Sequence, residues 1–237
     1  MNHYRSRLPS FAALLAVVLF ARLGVWQLHR ADEAKALQAS MKAHAQDRPL
    51  LLAATALAGD PATLHWRPVE ARGTWDSTRQ ILLDNQVSRG VAGYFVYAPL
   101  RIDGCDCAVL INRGWIPAGP QRSIVPDVGF VPATQTIRGI AAPAPASGFG
   151  LQPGPGEHMG GDLLRVQRLD AAELSQWLDR RVVPLTVLLA PDQPGSYRRE
   201  WVPPDARADR HMAYATQWFL FALIAAGIAI KLNSVRA

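Results

Sequence analysis

Asp209-Arg210-His211-Met212-Ala213-Tyr214-Ala215-Thr216-Gln217-Trp218-Phe219 leads without a break into an apolar run that ends at Ile230. The 18 residues from Ala213 to Ile230 carry no charge. At about 1.5 Å of rise per residue they span roughly 27 Å, close to the hydrocarbon thickness of a bilayer. A charged pair, a histidine, a tyrosine and a tryptophan therefore stand where a membrane-spanning helix meets water.

A second apolar run lies at the other end. Leu8 to Ala21 is uncharged, and the run continues to Leu28 with Arg22 as its one interruption. Arg5 and Arg7 before an apolar stretch also suit a signal peptide. Phe20 is followed by Ala21-Arg22-Leu23-Gly24-Val25-Trp26, which offers no small-x-small cleavage site, so an uncleaved anchor is expected. Arg22 then lies within two turns of the outer end, where its long stem reaches the headgroups. Arg5 and Arg7 flank the first span, Lys231 and Arg236 follow the second, and neither end segment holds an acidic residue. The positive-inside rule places both termini in the cytoplasm. Arg30, Lys35 and Arg210 face the other way, but long translocated domains are exempt from that count.

The expected fold is an α+β membrane protein, with two transmembrane helices flanking a mainly antiparallel β domain that carries short helices. Residues 1–9 form a cytoplasmic N-terminus, 10–28 the first span, 29–210 a periplasmic β-rich domain, 211–230 the second span and 231–237 a cytoplasmic C-terminus. Within the domain, Asp32 to Ala45 reads as helix and Leu50 to Leu57 as a second, short helix. Strands are expected over Trp66–Trp75, Gln80–Asn85, Tyr94–Ile102, Ala108–Asn112, Thr134–Ile140, Leu163–Arg168 and Val182–Leu189. Asp103-Gly104 signals a hairpin. Asp170 caps a helix to Leu178, with Glu173 completing a capping box. Residues 142–161, rich in Pro and Gly with little to bury, read as a mobile surface loop.

Composition excludes some classes. A net charge of +6 and a pI near 9.8 invite nucleic acid, but the basic residues are scattered and several are membrane flanks that meet anionic lipid. The chain has no phosphate-binding glycine loop, nucleophile elbow, Cys-x-x-Cys or His-Glu-x-x-His. Its six histidines show no metal-cage spacing. Cys105 and Cys107 share one strand face in Asp103-Gly104-Cys105-Asp106-Cys107. They could bind copper, form a reducible disulfide, or merely ornament a polar turn.

Two places offer functional side chains. In Asn112-Arg113-Gly114-Trp115-Ile116-Pro117, glycine permits a tight bend, and the arginine either braces a corner or faces a ligand or partner. At 100° per residue, His211, Tyr214, Ala215 and Trp218 fall on one stripe of the second span, above Ala222, Ala225, Ala226 and Ala229. In the first span Arg22, Trp26 and His29 share a face, with Arg30 nearby. Basic and aromatic groups thus stand at the same outer depth on both spans. They suit an aromatic belt with snorkelling cations. They also suit a planar, anionic, amphipathic ligand such as haem, with His211 as axial ligand and arginines at the propionates.

Four segments together resemble the surfeit locus protein 1 family. Leu23-Gly24-Val25-Trp26-Gln27-Leu28-His29-Arg30, with Lys35 after it, resembles the end of that family's first span. Tyr94 to Leu100, followed by Val109-Leu110-Ile111-Asn112-Arg113-Gly114-Trp115-Ile116-Pro117, resembles its central pattern, and Arg122 fits the arginine that follows. Arg210-His211-x-x-Tyr214-Ala215-x-Gln217-Trp218-Phe219 resembles its last signature. The segments occur in order across most of the chain, while residues 142–161 and the cysteine pair fall outside the pattern.

The resemblance implies an assembly factor, not an enzyme, for haem-copper cytochrome c oxidase in the cell inner membrane. It implies that haem a is held or handed over at the outer membrane face. His211 falls on the family's histidine and would be an axial ligand. Arg210, Arg22 and Arg30 would neutralise propionates, and Trp26, Tyr214 and Trp218 would wall the site. The β domain would dock on the oxidase catalytic subunit or on a haem a synthesis enzyme through Arg113 and Trp115. Two rivals stay open: a haem-free scaffold for an oxidase assembly intermediate, and a thiol carrier or enzyme built on Cys105 and Cys107.

Overall fold

A computed structural model of the chain describes residues 3–76, 78–119, 121–122, 124–129, 134–145, 156–199 and 207–234. It divides into two compact units, Met1–Ser40 with Val202–Ala237, and Met41–Trp201.

The first unit is a helix pair. α1 runs His3–His44, and the stretch long and apolar enough to span a membrane falls within Pro9–His44. The first span and the helix expected from Asp32 are one uninterrupted element. No glycine or proline stands between Leu28 and Asp32. Ion pairs Arg30–Glu33 at 2.5 Å and Asp32–Lys35 at 3.2 Å support the helix where it becomes polar. α4, the last helix, runs Ala208–Ser234. Both are long and apolar enough to cross a membrane.

The second unit is strand-rich. β1 (Leu50–Leu52) is followed by the one-turn helix α2 (Ala54–Leu57). The helix expected over Leu50 to Leu57 is therefore corrected to a strand and a turn. β1 lies parallel to β2 (Pro68–Trp75), and Leu52 and Leu57 both enter the core. A short apolar run carries no periodicity long enough to choose between strand and helix, and the pairing with β2 decided it.

β3 (Gln80–Ser88), β4 (Val91–Ile102), β5 (Cys107–Pro117) and β6 (Thr134–Ala142) follow. β7 (Glu157–His158), β8 (Leu163–Val166), α3 (Ala171–Leu178) and β9 (Arg181–Leu189) complete the unit. Among the described residues six of the nine strand pairings are antiparallel; β1–β2, β3–β8 and β5–β9 are parallel. β2, β6, β9, β5 and β4 form a ring, because β4 closes back on β2 from Gly73↔Ile102 to Trp75↔Leu100. The barrel interior is filled by alternate residues of these strands, among them Val69, Trp75, Leu100, Val109, Ile111, Ile137 and Leu185.

Beyond the ring, β3 and β8 extend the sheet from β4. One face is covered by α3, whose Leu174 and Leu178 pack with Ile81, Leu83, Tyr97 and Leu110. Asp170 caps α3 by accepting from the amides of Ala172 and Glu173. Glu173 does not complete the expected box; its carboxylate pairs with Arg168 at 2.5 Å. The opposite face gathers Leu82, Tyr94, Val96, Met159 and Leu163.

Of the Pro/Gly stretch expected as a mobile loop, residues 146–155 lie outside the described residues. Its ends are structured: Ala142 closes β6, and Glu157–His158 pair with β8 as β7. The hairpin at Asp103-Gly104 joins β4 to β5. Its two cysteines form a disulfide, with Cys107 buried in the barrel core and Cys105 packed against it. Neither thiol is free, so the copper reading has no ligands here.

Candidate functional site

In the helix pair, α4 presents His211, Ala215, Trp218 and Ala222 to the face of α1 that carries Phe20, Gly24 and Gln27. The helices run antiparallel: Ser10 bonds Asn233 at 3.1 Å at one end, and Gln27 meets His211 at the other. Gly24 sets the spacing between them. A Cβ on that residue would lie 2.7 Å from the Phe219 ring, so any larger residue would have to displace that ring. Phe20 stacks on Trp218 with centroids 5.7 Å apart and planes 24° from parallel. Phe221 packs on both rings, 5.7 Å from Phe20 and 5.9 Å from Trp218. Further along, Ala13, Ala16, Phe20, Phe221, Ile224, Ala225 and Ile228 line an apolar groove of about 450 Å³.

A polar contact marks the His211 end of the pair. Gln27 Oε1 lies 2.8 Å from His211 Nδ1. Gln27 is 8 % exposed, and a buried amide on an apolar span is costly unless it finds a partner. An amide oxygen can only accept, so this bond needs the ring proton on Nδ1. Among the described residues, nothing bonds His211 Nε2. The half-buried imidazole is thus anchored at one nitrogen and open at the other.

The other residues singled out from the sequence lie around this contact in different ways. Trp218 joins the helix interface. Tyr214 is exposed, with the Arg210 guanidinium over its ring at 6.0 Å. Trp26 is 53 % exposed and Arg22 is exposed, both off the face that meets α4. Arg30 pairs with Glu33 on its own helix. The structure therefore brings His211 and Trp218 together with Gln27 and Phe20, and leaves Arg22, Trp26, Arg30 and Arg210 on outward faces. A wheel ranks residues around one helix but does not say which face meets a neighbour. Gln27 was missed although its signal was present: Phe20, Gly24, Gln27 and Ala31 follow the i, i+4, i+7 and i+11 spacing of a packed face.

The second singled-out corner is internal. Arg113 is 2 % exposed and Trp115 5 %, which corrects the expectation that they face a partner. β5 carries one extra residue against β4, since Val96 pairs Gly114 while Tyr97 pairs Asn112. Arg113 is that residue, and the bulge turns its side chain inward. It donates to Gln80 Oε1 at 2.5 Å, to the Val128 carbonyl at 2.7 Å and to the Gly195 carbonyl at 2.9 Å. Its guanidinium also lies 4.8 Å from the Tyr197 ring centroid. Burial holds its pKa below the usual guanidinium value, opposed by Tyr197. The cation is kept by satisfying it, not by exposing it.

The rest of the motif serves the same bulge. Gly114 has φ +116°, and a Cβ there would lie 2.8 Å from the Tyr197 and Arg198 backbone. Asn112 accepts from the Gly114 amide at 2.9 Å and donates to the Tyr97 hydroxyl at 3.0 Å. Burial pushes the Tyr97 hydroxyl pKa well up, with the Asn112 bond acting against it. The Trp115 ring lies against Gly93, where a Cβ would come within 2.5 Å of it, and its indole N–H donates to the Gln86 carbonyl. Arg122 pairs with the nearly buried Asp84 at 3.0 Å. No group of three or more His, Cys, Asp or Glu able to hold a metal ion occurs among the described residues.

The model of the SURF1 family matches residues 14–223. A SURF1-like protein of Dictyostelium discoideum is 29 % identical over 118 residues, which cover 46 % of this chain and 43 % of that protein. The match thus spans less than half the length of this curated relative.

Proposed function

This chain belongs to the SURF1 family, and we propose that it is a membrane-anchored assembly factor for cytochrome c oxidase that holds or hands over haem a. The observation that carries the proposal is the His211 imidazole, bonded to Gln27 through Nδ1 and without a partner at Nε2. Haem iron, when bound, supplies a coordination position that takes such a neutral ring nitrogen. His211 fits that role in chemistry and placement, at the polar end of an apolar helix pair. Arg210, Arg22 and Arg30 are the cations available to propionates on the outward faces, with Trp26, Tyr214 and Trp218 as the aromatic surface. Arg30 would have to exchange Glu33 for a propionate.

Charge at the chain ends supports cytoplasmic termini and a periplasmic β domain in the cell inner membrane. The partner would be the oxidase catalytic subunit or the enzyme that makes haem a. With Arg113 and Trp115 turned inward, recognition falls to other surfaces of the β domain. The role is one of holding and transfer, with no bond of a substrate made or broken by the chain.

A second reading has its own support. The Gln27–His211 bond also fastens the helix pair, as a haem-free scaffold would require. Purification from cells that make haem a separates the two. Under the haem reading the wild type carries a Soret band and His211→Ala loses it. Equal haem content and spectrum in the two proteins would sink the ligand assignment. Co-purification of oxidase subunits with no Soret absorption in the free protein would favour the scaffold.

A further inference from the structure

We infer that Gln27 is the positioning residue that decides which nitrogen of His211 is free for iron; the inference rests on the haem reading above. Three observations carry it. Gln27 is buried in an apolar helix face, and the atom it turns to His211 is its carbonyl oxygen, 2.8 Å from Nδ1. Packing on the apolar side of the pair limits drift: Gly24 sits against Phe219 and Phe20 stacks on Trp218. The acceptor therefore meets the ring at a set depth. An acceptor at Nδ1 selects the tautomer with the proton there, which strips Nε2 of its proton and leaves its lone pair for a metal. If the amide were turned over, its NH₂ would donate to Nδ1, the proton would move to Nε2, and the ring could not ligate through that atom.

Gln27 thus does for His211 what carboxylates and carbonyls do behind other metal-bound histidines: it orients the ring and fixes its tautomer. Unlike a carboxylate, a neutral amide does so without placing a charge in the span.

The test uses the full chain in lipid nanodiscs. In haem-free protein labelled with ¹⁵N-histidine, the His211 resonances are those lost in His211→Ala. They should report the Nδ1–H tautomer in wild type, and Gln27→Leu should abolish that preference. In protein purified from cells making haem a, Gln27→Leu should retain about tenfold less haem after washing. Gln27→Glu keeps an acceptor of greater strength. It should retain haem, lower its midpoint potential and raise the iron–imidazole stretching frequency. An Nε2–H tautomer in wild type overturns the inference, as do haem retention and potential unchanged in both Gln27 variants. Should Gln27→Leu fail to insert, the Gln27→Glu potential decides: a shift supports the role and no shift overturns it. Haem retained by His211→Ala sinks the ligand reading and this inference with it, whereas the Gln27 outcomes sink this inference alone.

Discussion

Arg113 in the β domain and His211 in the helix pair each place a polar side chain in apolar surroundings, and the two are treated in opposite ways. Arg113 has its guanidinium met by Gln80, Val128 and Gly195, with the Tyr197 ring beside it. His211 has one nitrogen met, by Gln27, and nothing among the described residues at the other. A buried group whose hydrogen-bonding capacity is used up serves the fold, and a half-used one is available to a ligand. By that criterion the Asn-Arg-Gly-Trp corner is architecture, and the helix boundary is where we propose the site.

The comparison breaks first at Arg113. Arg113→Met removes the shared donor, leaving the buried Gln80 Oε1 and the part-buried Gly195 carbonyl without it while the Val128 carbonyl keeps the Tyr197 hydroxyl, and each group left alone costs about 1–3 kcal/mol. The β domain should lose roughly 2–5 kcal/mol, read from tryptophan fluorescence during urea unfolding. The haem spectrum of whatever protein remains folded should not change. A variant as stable as wild type would mean that the corner does not brace the barrel. A haem spectrum altered in folded protein would mean that the corner reaches the site.

Gly24 sharpens the other half. Gly24→Ala drives a methyl into the Phe219 ring and should weaken the helix pair by about 1–2 kcal/mol. The Gln27–His211 distance should lengthen and haem retention should fall. Gly24→Ala with Phe219→Leu should restore both, since the clash is with the ring. Failure of the double variant would place the defect elsewhere than in helix spacing. The β domain should unfold in all three proteins at the same urea concentration.

The smallest effect is electrostatic and confined to the β domain. Burial by itself raises the Asp76 carboxyl pKa. Hydrogen bonds from the Arg79 amide, the Thr78 hydroxyl and the Arg79 guanidinium outweigh it and hold the pKa below its ordinary value. Stability from this group is complete above the unfolded carboxylate range and is lost as pH falls through the lowered value. Asp76→Asn should cost under about 1 kcal/mol at pH 7, because the pair is partly exposed. The difference from wild type should shrink as pH falls from the unfolded carboxylate range and vanish below the lowered value. A difference that persists there would point to packing instead of charge.

Much of this was legible in the chain. Long uncharged runs at both ends can form only helices in a membrane, because every backbone group must be satisfied within the segment. Alternating apolar residues marked the larger strands, and Asp170 marked the start of α3. The misses share one cause. Leu50–Leu52 became a strand because β2 offered it an edge. Arg113 and Trp115 looked like exposed recognition groups because a bulge in β5, invisible in a strand pattern, turned the arginine inward. Gln27 drew no notice because one amide in an apolar run has no meaning until its partner, 184 residues away, is known.

Local composition and periodicity by themselves determined two membrane helices, a strand-rich middle and a histidine at the polar boundary of the second helix. These depend on transfer free energy and backbone geometry, which act over a few residues. Tertiary structure alone decided that the arginine of the central motif is internal, that Gly24 and Phe219 space the helices, and that His211 is held by Gln27 at one nitrogen with the other left open. Burial and hydrogen-bond satisfaction are properties of pairs brought together by folding, and no single segment contains both members of the pair.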